Sequence, residues 1–292
     1  MPLIDQPKIL VTGANGQLGM EFRQLEQKYT GVKFIFVSKE EFPIENTGLI
    51  NDFLSKHSFN YCINCAAYTA VDKAETEKEL ALLINGTAVG VLAKACALHD
   101  IKFIHFSTDY VFDGLSNEPY TVHSPVKPAN YYGYTKLTGE QLAFDNNPEA
   151  IVIRTSWVYS RFGKNFVKTM LQLMEQRPSI NVVADQFGRP TYAADLAELV
   201  MEIIHKEKWH AGIFHFSNSG KVISWYDFAL AICKIANLSC TINPIPTTAY
   251  PTPAKRPAYS ALDIGKLSTV YQLQSPEWES SLVNCVHHLL KH

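Results

Sequence analysis

Thr12-Gly13-Ala14-Asn15-Gly16-Gln17-Leu18-Gly19 follows directly on the apolar run Ile9-Leu10-Val11, and an amphipathic helix can begin inside it. Glycines at 13, 16 and 19 permit a tight strand-to-helix turn, close backbone approach to a pyrophosphate, and close packing of the helix, whose first N–H groups then face the anion. A glycine-rich turn alone carries little weight. Standing near the N-terminus in the first strand–helix–strand unit, this one reads as a dinucleotide-binding turn made of Gly13, Asn15, Gly16, Gln17, Leu18 and Gly19.

Outward from the turn, short β-branched runs alternate with longer helical patterns. Strands are expected at 8–12, 32–38, 61–66, 102–107 and 150–155, and helices at 19–27, 49–57, 80–98 and 131–144. Residues 101–107 are apolar on both alternations, as in a strand covered on both faces. The fold class that follows is α/β, a Rossmann doubly wound parallel sheet. Past about residue 160 the alternation breaks, leaving helices at 166–175 and 193–205 and a strand at 212–216. The remainder carries Pro244, Pro246, Pro251, Pro253 and Pro257 and reads as a rigid, loop-rich segment over the carboxyl ends of the strands. The expected division is a dinucleotide-binding domain at 1–160 and 189–218, with a smaller, irregular α/β substrate domain at 161–188 and 219–292.

Bulk properties narrow the partners. With 47% hydrophobic residues in 292, the chain can bury a substantial core, and 26 basic against 28 acidic residues give a net charge of −2. That balance offers no reason to bind nucleic acid or an anionic membrane. The start, MPLIDQPKILVTG, is not a basic segment followed by a long apolar run, and no stretch is expected to span a bilayer, so the expected location is cytoplasmic. Six scattered cysteines do not make a disulfide scaffold. Cys62 and Cys65 fall in an apolar strand, which favours a structural pair over a redox or zinc motif. No cluster of metal ligands is expected.

Two further features carry chemistry. Tyr132-Gly133-Tyr134-Thr135-Lys136 puts a phenol and an ammonium four residues apart on one face of a helix start. A nearby cation favours the ionised phenol, which eases proton exchange with a carbonyl or alkoxide, and Lys136 can also hold a nicotinamide ribose. Upstream, the buried strand ending Phe106-Ser107-Thr108-Asp109 emits a polar cluster where open α/β sheets bind ligands. A hydroxyl from Ser107 or Thr108 there can hold a substrate carbonyl against the phenol. At the end of the second strand, Val37-Ser38-Lys39 replaces the acidic residue that would accept from a ribose 2′-hydroxyl. Ser38 and Lys39 therefore favour NADPH, with NADH left possible by Glu40 and Glu41.

These elements, together with 64–75 (NCAAYTAVDKAE), 107–114, 154–159 (RTSWVY), 185–191 (DQFGRPT) and Arg256-Pro257, resemble the extended short-chain dehydrogenase/reductase family. Within it, they are similar to the reductases of dTDP-4-dehydrorhamnose over nearly the whole chain. The resemblance implies NADPH-dependent reduction of the C4 ketone of a dTDP-4-dehydro-β-L-rhamnose, with Thr108, Tyr132 and Lys136 at the reacting carbonyl. It places Gly16, Gln17 and Leu18 along the pyrophosphate, and Ala66, Ala67 and Tyr68 further along the cofactor. It places Thr108 and Asp109 beside the hexose, Val71 and Trp157 as apolar walls, and Asn165 and Arg256 toward the nucleotide-sugar. Ser38 departs from the aspartate that relatives carry, and Pro43 and Ile44 from an aspartate-led pair. The expected partner is the nucleotide-sugar substrate, with the protein a monomer or homodimer. Two rivals share the architecture: a nucleotide-sugar epimerase or dehydratase that regenerates its cofactor, and a non-catalytic subunit like the regulatory subunit of methionine adenosyltransferase.

Overall fold

A computed structural model describes residues 6–206 and 208–291. The first five residues, part of the N-terminal stretch read above, lie outside that range. The chain begins with β1 (Lys8–Thr12), α1 (Gln17–Leu25), β2 (Lys33–Val37), α2 (Thr47–Ser55) and β3 (Tyr61–Asn64). Next, α3 (Lys78–Leu82) runs through a π-turn at Leu83–Thr87 into α4 (Ala88–Leu98), and β4 (Lys102–Thr108), α5 (Tyr131–Asn146) and β5 (Ile151–Thr155) follow.

The strand side chains explain why these runs stack into one layer. Ile9 and Val11 of β1, Ile63 of β3, Ile104 and Phe106 of β4, and Ile151 and Ile153 of β5 join one core with Phe22 and Leu25 of α1. The alternate residues Leu10, Cys62 and Phe103 join a second core with α2 and α4 on the opposite face. A sheet buried on both faces pairs in parallel, and the six strands run parallel in the order β10-β5-β4-β3-β1-β2, where β10 is described below. The chain leaves β1 toward β2 and then returns to β1's other side as β3. The carboxyl ends of β1 and β3 therefore flank a crevice at the topological switch point.

The second half holds β6 (Val158–Tyr159), α6 (Phe166–Gln176), β7 (Ser179–Val183), β8 (Phe187–Gly188), β9 (Thr191–Tyr192), α7 (Ala193–His205), β10 (Gly212–Phe216), β11 (Ile223–Ser224), α8 (Trp225–Ile235), β12 (Thr241–Ile245), α9 (Gly265–Tyr271) and α10 (Trp278–Leu290). Helix α7 and strand β10 complete the first core, while α6, α8 and α10 enclose a third around Phe228, Leu282 and Val286.

Three expectations need correction. The stretch after β10 is not mainly loop: it contains α8, α9 and α10, and β12 pairs in parallel with β7 across Pro244. β12 has one neighbour only, so a residue without an N–H is tolerated on its open side. Helix α9, expected with the substrate part, packs onto the first core through Leu267 and Tyr271. Lys78–Leu98 is long and apolar enough to span a bilayer by length and composition, contrary to the reading of the sequence. However, 61% of that window is buried inside the protein, where α4 packs against α2 and α5.

Candidate active site

The glycine turn is built as the sequence requires. Gly13 sits at φ 61°, and a Cβ there would come within 2.6 Å of Ala66 N. Only glycine combines that backbone with so close a passage of the chain leaving β3. Gly16 caps α1 with no side chain on the free N–H groups of the first turn, which Gln17, Leu18 and Gly19 occupy. Those donors and the helix dipole can hold a small anion, with Asn15 exposed at the tip of the turn.

Across the crevice, Ala66, Ala67 and Tyr68 follow β3. Tyr68 is fixed by a reciprocal pair with Asn85: its N–H donates to Asn85 Oδ1 and its carbonyl accepts from Asn85 Nδ2, both at 2.9 Å. At the end of β2, the Ser38 N–H donates to Glu41 Oε2 at 2.8 Å, and Lys39 pairs with Glu45 at 3.1 Å. The three adjacent strand ends thus bring Gly13 to Gly19, Ser38 and Lys39, and Ala66 to Tyr68 to one edge of the sheet.

The candidate reacting groups lie one strand further along. Thr108 closes β4; its hydroxyl donates to Asp109 Oδ1 at 2.9 Å and accepts from the Tyr110 N–H at 3.2 Å. Asp109 is buried with Oδ2 unpartnered, and burial pushes its carboxyl up to about 7 against the opposing hydrogen bonds of Thr108 and Ser260. Ser107, the alternative hydroxyl, is buried with its Oγ unpartnered. Tyr132 stands in the first turn of α5, capped by Asn130, whose Oδ1 accepts from the Gly133 N–H at 2.8 Å. The Tyr132 ring meets that of Tyr110 edge-on at 5.6 Å.

Lys136 lies one turn on and buried, its Nζ donating to Phe106 O at 2.7 Å, with His105 Nε2 at 3.2 Å. Burial pushes the ammonium down to about 8, opposed by the Glu140 carboxylate. The sequence expectation that a neighbouring cation draws the phenol's pKa down is corrected here. Burial first, then Asp109 and Tyr110, push Tyr132 up, and the Thr108 hydroxyl acts in the opposite sense. The phenol is held in its protonated, proton-donating form.

The remaining candidates divide. Arg256 reaches the cluster, donating from Nη2 to Asp72 Oδ2 at 2.7 Å and from Nη1 to Tyr110 OH at 3.4 Å. Val71 is half-buried next to Asp72. Trp157, at φ 49°, stacks on Trp225 at 3.5 Å between ring centres and donates to Ser260 Oγ at 3.1 Å. One face of its indole is therefore covered by another aromatic. Asn165 is committed elsewhere: its Oδ1 caps α6 through the Lys168 N–H, and its Nδ2 donates to Gln17 Oε1 at 3.0 Å and Ser160 O at 2.6 Å. It ties the second half to the glycine turn, and both N–H groups of its amide are committed within the protein.

The profile of the family described as the RmlD substrate binding domain matches residues 7–291. The chain belongs to this family. It is 38% identical over 287 residues, 95% of this chain and 97% of the relative, to the dTDP-4-dehydrorhamnose reductase of Aggregatibacter actinomycetemcomitans. Among solved structures, a dTDP-4-dehydrorhamnose reductase from Clostridium acetobutylicum superposes with a TM-score of 0.91 at 40% identity, covering 97% of this chain and 99% of that one. The reductase of Bacillus anthracis, solved in complex with NADP, superposes with a TM-score of 0.93 at 36% identity and the same coverage.

Four residues at the site escaped the reading of the sequence. Asn85 lies in the π-turn and joins Tyr68 to Thr135 Oγ1, 3.1 Å away on α5. Asp72 holds both Arg256 and the Ala254 N–H. Trp225 covers Trp157, and His105 touches Lys136. Two of these carried a signal: a polar Asn85 in an apolar helical run, and a His105 in a strand apolar on both faces, must each find a buried partner.

Proposed function

We propose that the protein reduces the C4 ketone of dTDP-4-dehydro-β-L-rhamnose to the alcohol of dTDP-β-L-rhamnose, with NADPH as the reductant. The observation that supports this reading is the Thr108 hydroxyl beside the protonated Tyr132 phenol at the end of β4, the strand whose Phe106 carbonyl holds the buried Lys136 Nζ. Relatives named as reductases of this substrate, matched over nearly the whole chain, support the choice of sugar. A solved relative holding NADP supports the choice of cofactor.

The residues fit a dinucleotide: an uncapped helix start beside a glycine whose Cβ would fill the crevice makes a cradle for a pyrophosphate. Gly13, Asn15, Gly16, Gln17, Leu18 and Gly19 would hold it, with Ser38 and Lys39 at the adenosine ribose and Ala66, Ala67 and Tyr68 along the remaining path. When bound, NADPH supplies the hydride for the carbonyl carbon.

Thr108 hydrogen-bonds the carbonyl oxygen and orients it toward Tyr132. Tyr132 gives its proton to that oxygen as negative charge develops there, and bulk solvent restores the proton. Lys136 would hold the nicotinamide ribose of a bound cofactor, and its positive charge stabilises the transient phenolate. Asp109, with Val71, Trp157 and Arg256 around it, borders the sugar, and residues 161–188 and 219–292, α9 apart, give the nucleotide-sugar its own wall. The intact reacting set argues against a non-catalytic subunit.

Substrate generated in situ and supplied with NADPH tests the reading. One NADPH oxidised per sugar reduced is expected. An isomerised sugar without net oxidation would instead indicate an epimerase.

A further inference from the structure

Four buried side chains form one hydrogen-bonded line through the sheet. Thr12 Oγ1 lies 2.7 Å from Asn64 Oδ1, Asn64 Nδ2 lies 3.0 Å from His105 Nδ1, and His105 Nε2 lies 3.2 Å from Lys136 Nζ. Thr12, Asn64 and His105 are register partners on the adjacent parallel strands β1, β3 and β4. The line therefore joins the residue before the glycine turn to Lys136 on α5, with none of the four more than 2% exposed.

Burial and the charge on Lys136 keep the His105 imidazole neutral. A neutral ring has one N–H and one lone pair, so the line is consistent in two directions only. In the first, the Asn64 N–H donates to Nδ1, Nε2 carries the ring proton, and it donates to Lys136, which must then be an amine with a free lone pair. In the second, Lys136 donates to the Nε2 lone pair, the one direction open to it as an ammonium. The ring proton then sits on Nδ1 and needs the oxygen of Asn64, so the amide is turned over and its N–H donates to Thr12 Oγ1. The same heavy-atom positions serve both directions, because amide oxygen and nitrogen exchange places.

We infer that His105 is a positioning residue whose tautomer follows the charge of Lys136, and that Asn64 transmits that charge to Thr12 at the glycine turn. Other titratable groups surround Lys136. Glu140 acts on it from its own helix and is held by Arg154 of β5, while Asp109 and Tyr110, from the turn after β4, act on Tyr132, one turn earlier on that helix. The π-turn presents Asn85, which is uncharged. Of the titratable groups, His105 contacts Nζ directly among the described residues, alongside Phe106 O. In the ammonium direction these two acceptors take two of the three N–H groups and leave one for the cleft. The inference rests on the proposed part of Lys136 in the reaction.

The test uses the full chain labelled with 15N-histidine, without substrate, from about pH 6 to 10. The His105 signals are assigned by their loss in His105→Gln. The Nδ1–H tautomer is expected at low pH and the Nε2–H tautomer at high pH, with the change coinciding with the alkaline fall of kcat. A single tautomer throughout would overturn the inference. A tautomer change at a pH where kcat does not bend would keep the coupling and remove Lys136 from the proposed reaction.

Asn64→Asp, which can only accept, is expected to hold Nδ1–H and move the alkaline limb up by about one unit. His105→Phe, which denies the ammonium an acceptor, is expected to move it down by about as much, and His105→Gln to restore most of that shift. An alkaline limb unmoved in both Asn64→Asp and His105→Phe would equally contradict it.

Discussion

Gly133 of α5 lies directly against the carbonyl oxygen of Tyr110, so closely that a Cβ at Gly133 would come within 2.1 Å of it. The neighbour is backbone and cannot rotate away, so the contact sets how closely the Tyr132 turn approaches the end of β4. Gly133→Ala should push α5 outward. The strain is worth about 1–3 kcal/mol, more than the roughly 1 kcal/mol that alanine gains over glycine in a helix. A displacement near 1 Å at the phenol should lower kcat by about a hundredfold. Steady-state kinetics and urea unfolding check this against Gly31→Ala, where nothing lies within 4 Å and neither quantity should change.

Asp109 makes stability depend on pH in a definite sense. Burial raises its folded-state pKa to about 7 from an ordinary 3.8. The folded protein therefore binds this proton more tightly than the unfolded chain does. The stability it contributes is present below the unfolded value and is lost as pH rises through about 4 to 7. Lys136, pushed down to about 8, acts in the opposite sense: the unfolded chain holds that proton more tightly, so stability recovers from about pH 8 toward 10. The urea midpoint without ligands should be lower at pH 7.5 than at pH 5, and Asp109→Asn should remove most of the difference. An unchanged difference in that variant would rule out Asp109 as its source.

Arg154 and Glu140 form a two-point ion pair, with Nε to Oε1 at 2.8 Å and Nη2 to Oε2 at 2.6 Å, and both side chains are buried. Glu140→Gln leaves a buried guanidinium without its counter-charge. A loss of about 3–5 kcal/mol is expected by chemical denaturation. Replacing both residues with apolar side chains of similar volume should cost much less.

Ser38 directly follows β2, where an acidic side chain would accept from a ribose hydroxyl and repel a phosphate. Ser38→Asp should lower kcat/KM for NADPH relative to NADH by at least about tenfold, an amount equivalent to about 1.4 kcal/mol of discrimination. The ratio measured with both cofactors under one set of conditions checks it.

The parallel sheet was legible because its signal is local: each strand is apolar on both alternations, and each turn or helix between strands carries its own pattern. The helices after β10 were missed for a different reason. Pro244, Pro246, Pro251, Pro253 and Pro257 dominate that stretch, yet they cluster between α8 and α9 and interrupt neither. The start of α8 was readable, since Ser224 and Asp227 form a reciprocal capping box ahead of Phe228 and Ile232, both fully buried. At the site, the phenol and lysine were visible by spacing, but what their charges face was not. Lys136 turns to Phe106 O and His105, partners set by the packing of α5 on β4, and Asn165 turns to Gln17, 148 positions away. Such pairings depend on tertiary contact and leave no periodicity in the chain.

The most direct test of the account is Tyr132→Phe, measured for turnover and for NADPH affinity in the same preparation. The account predicts a fall in kcat of about 10²- to 10⁴-fold with cofactor binding nearly intact. Turnover close to that of the unsubstituted protein would contradict it.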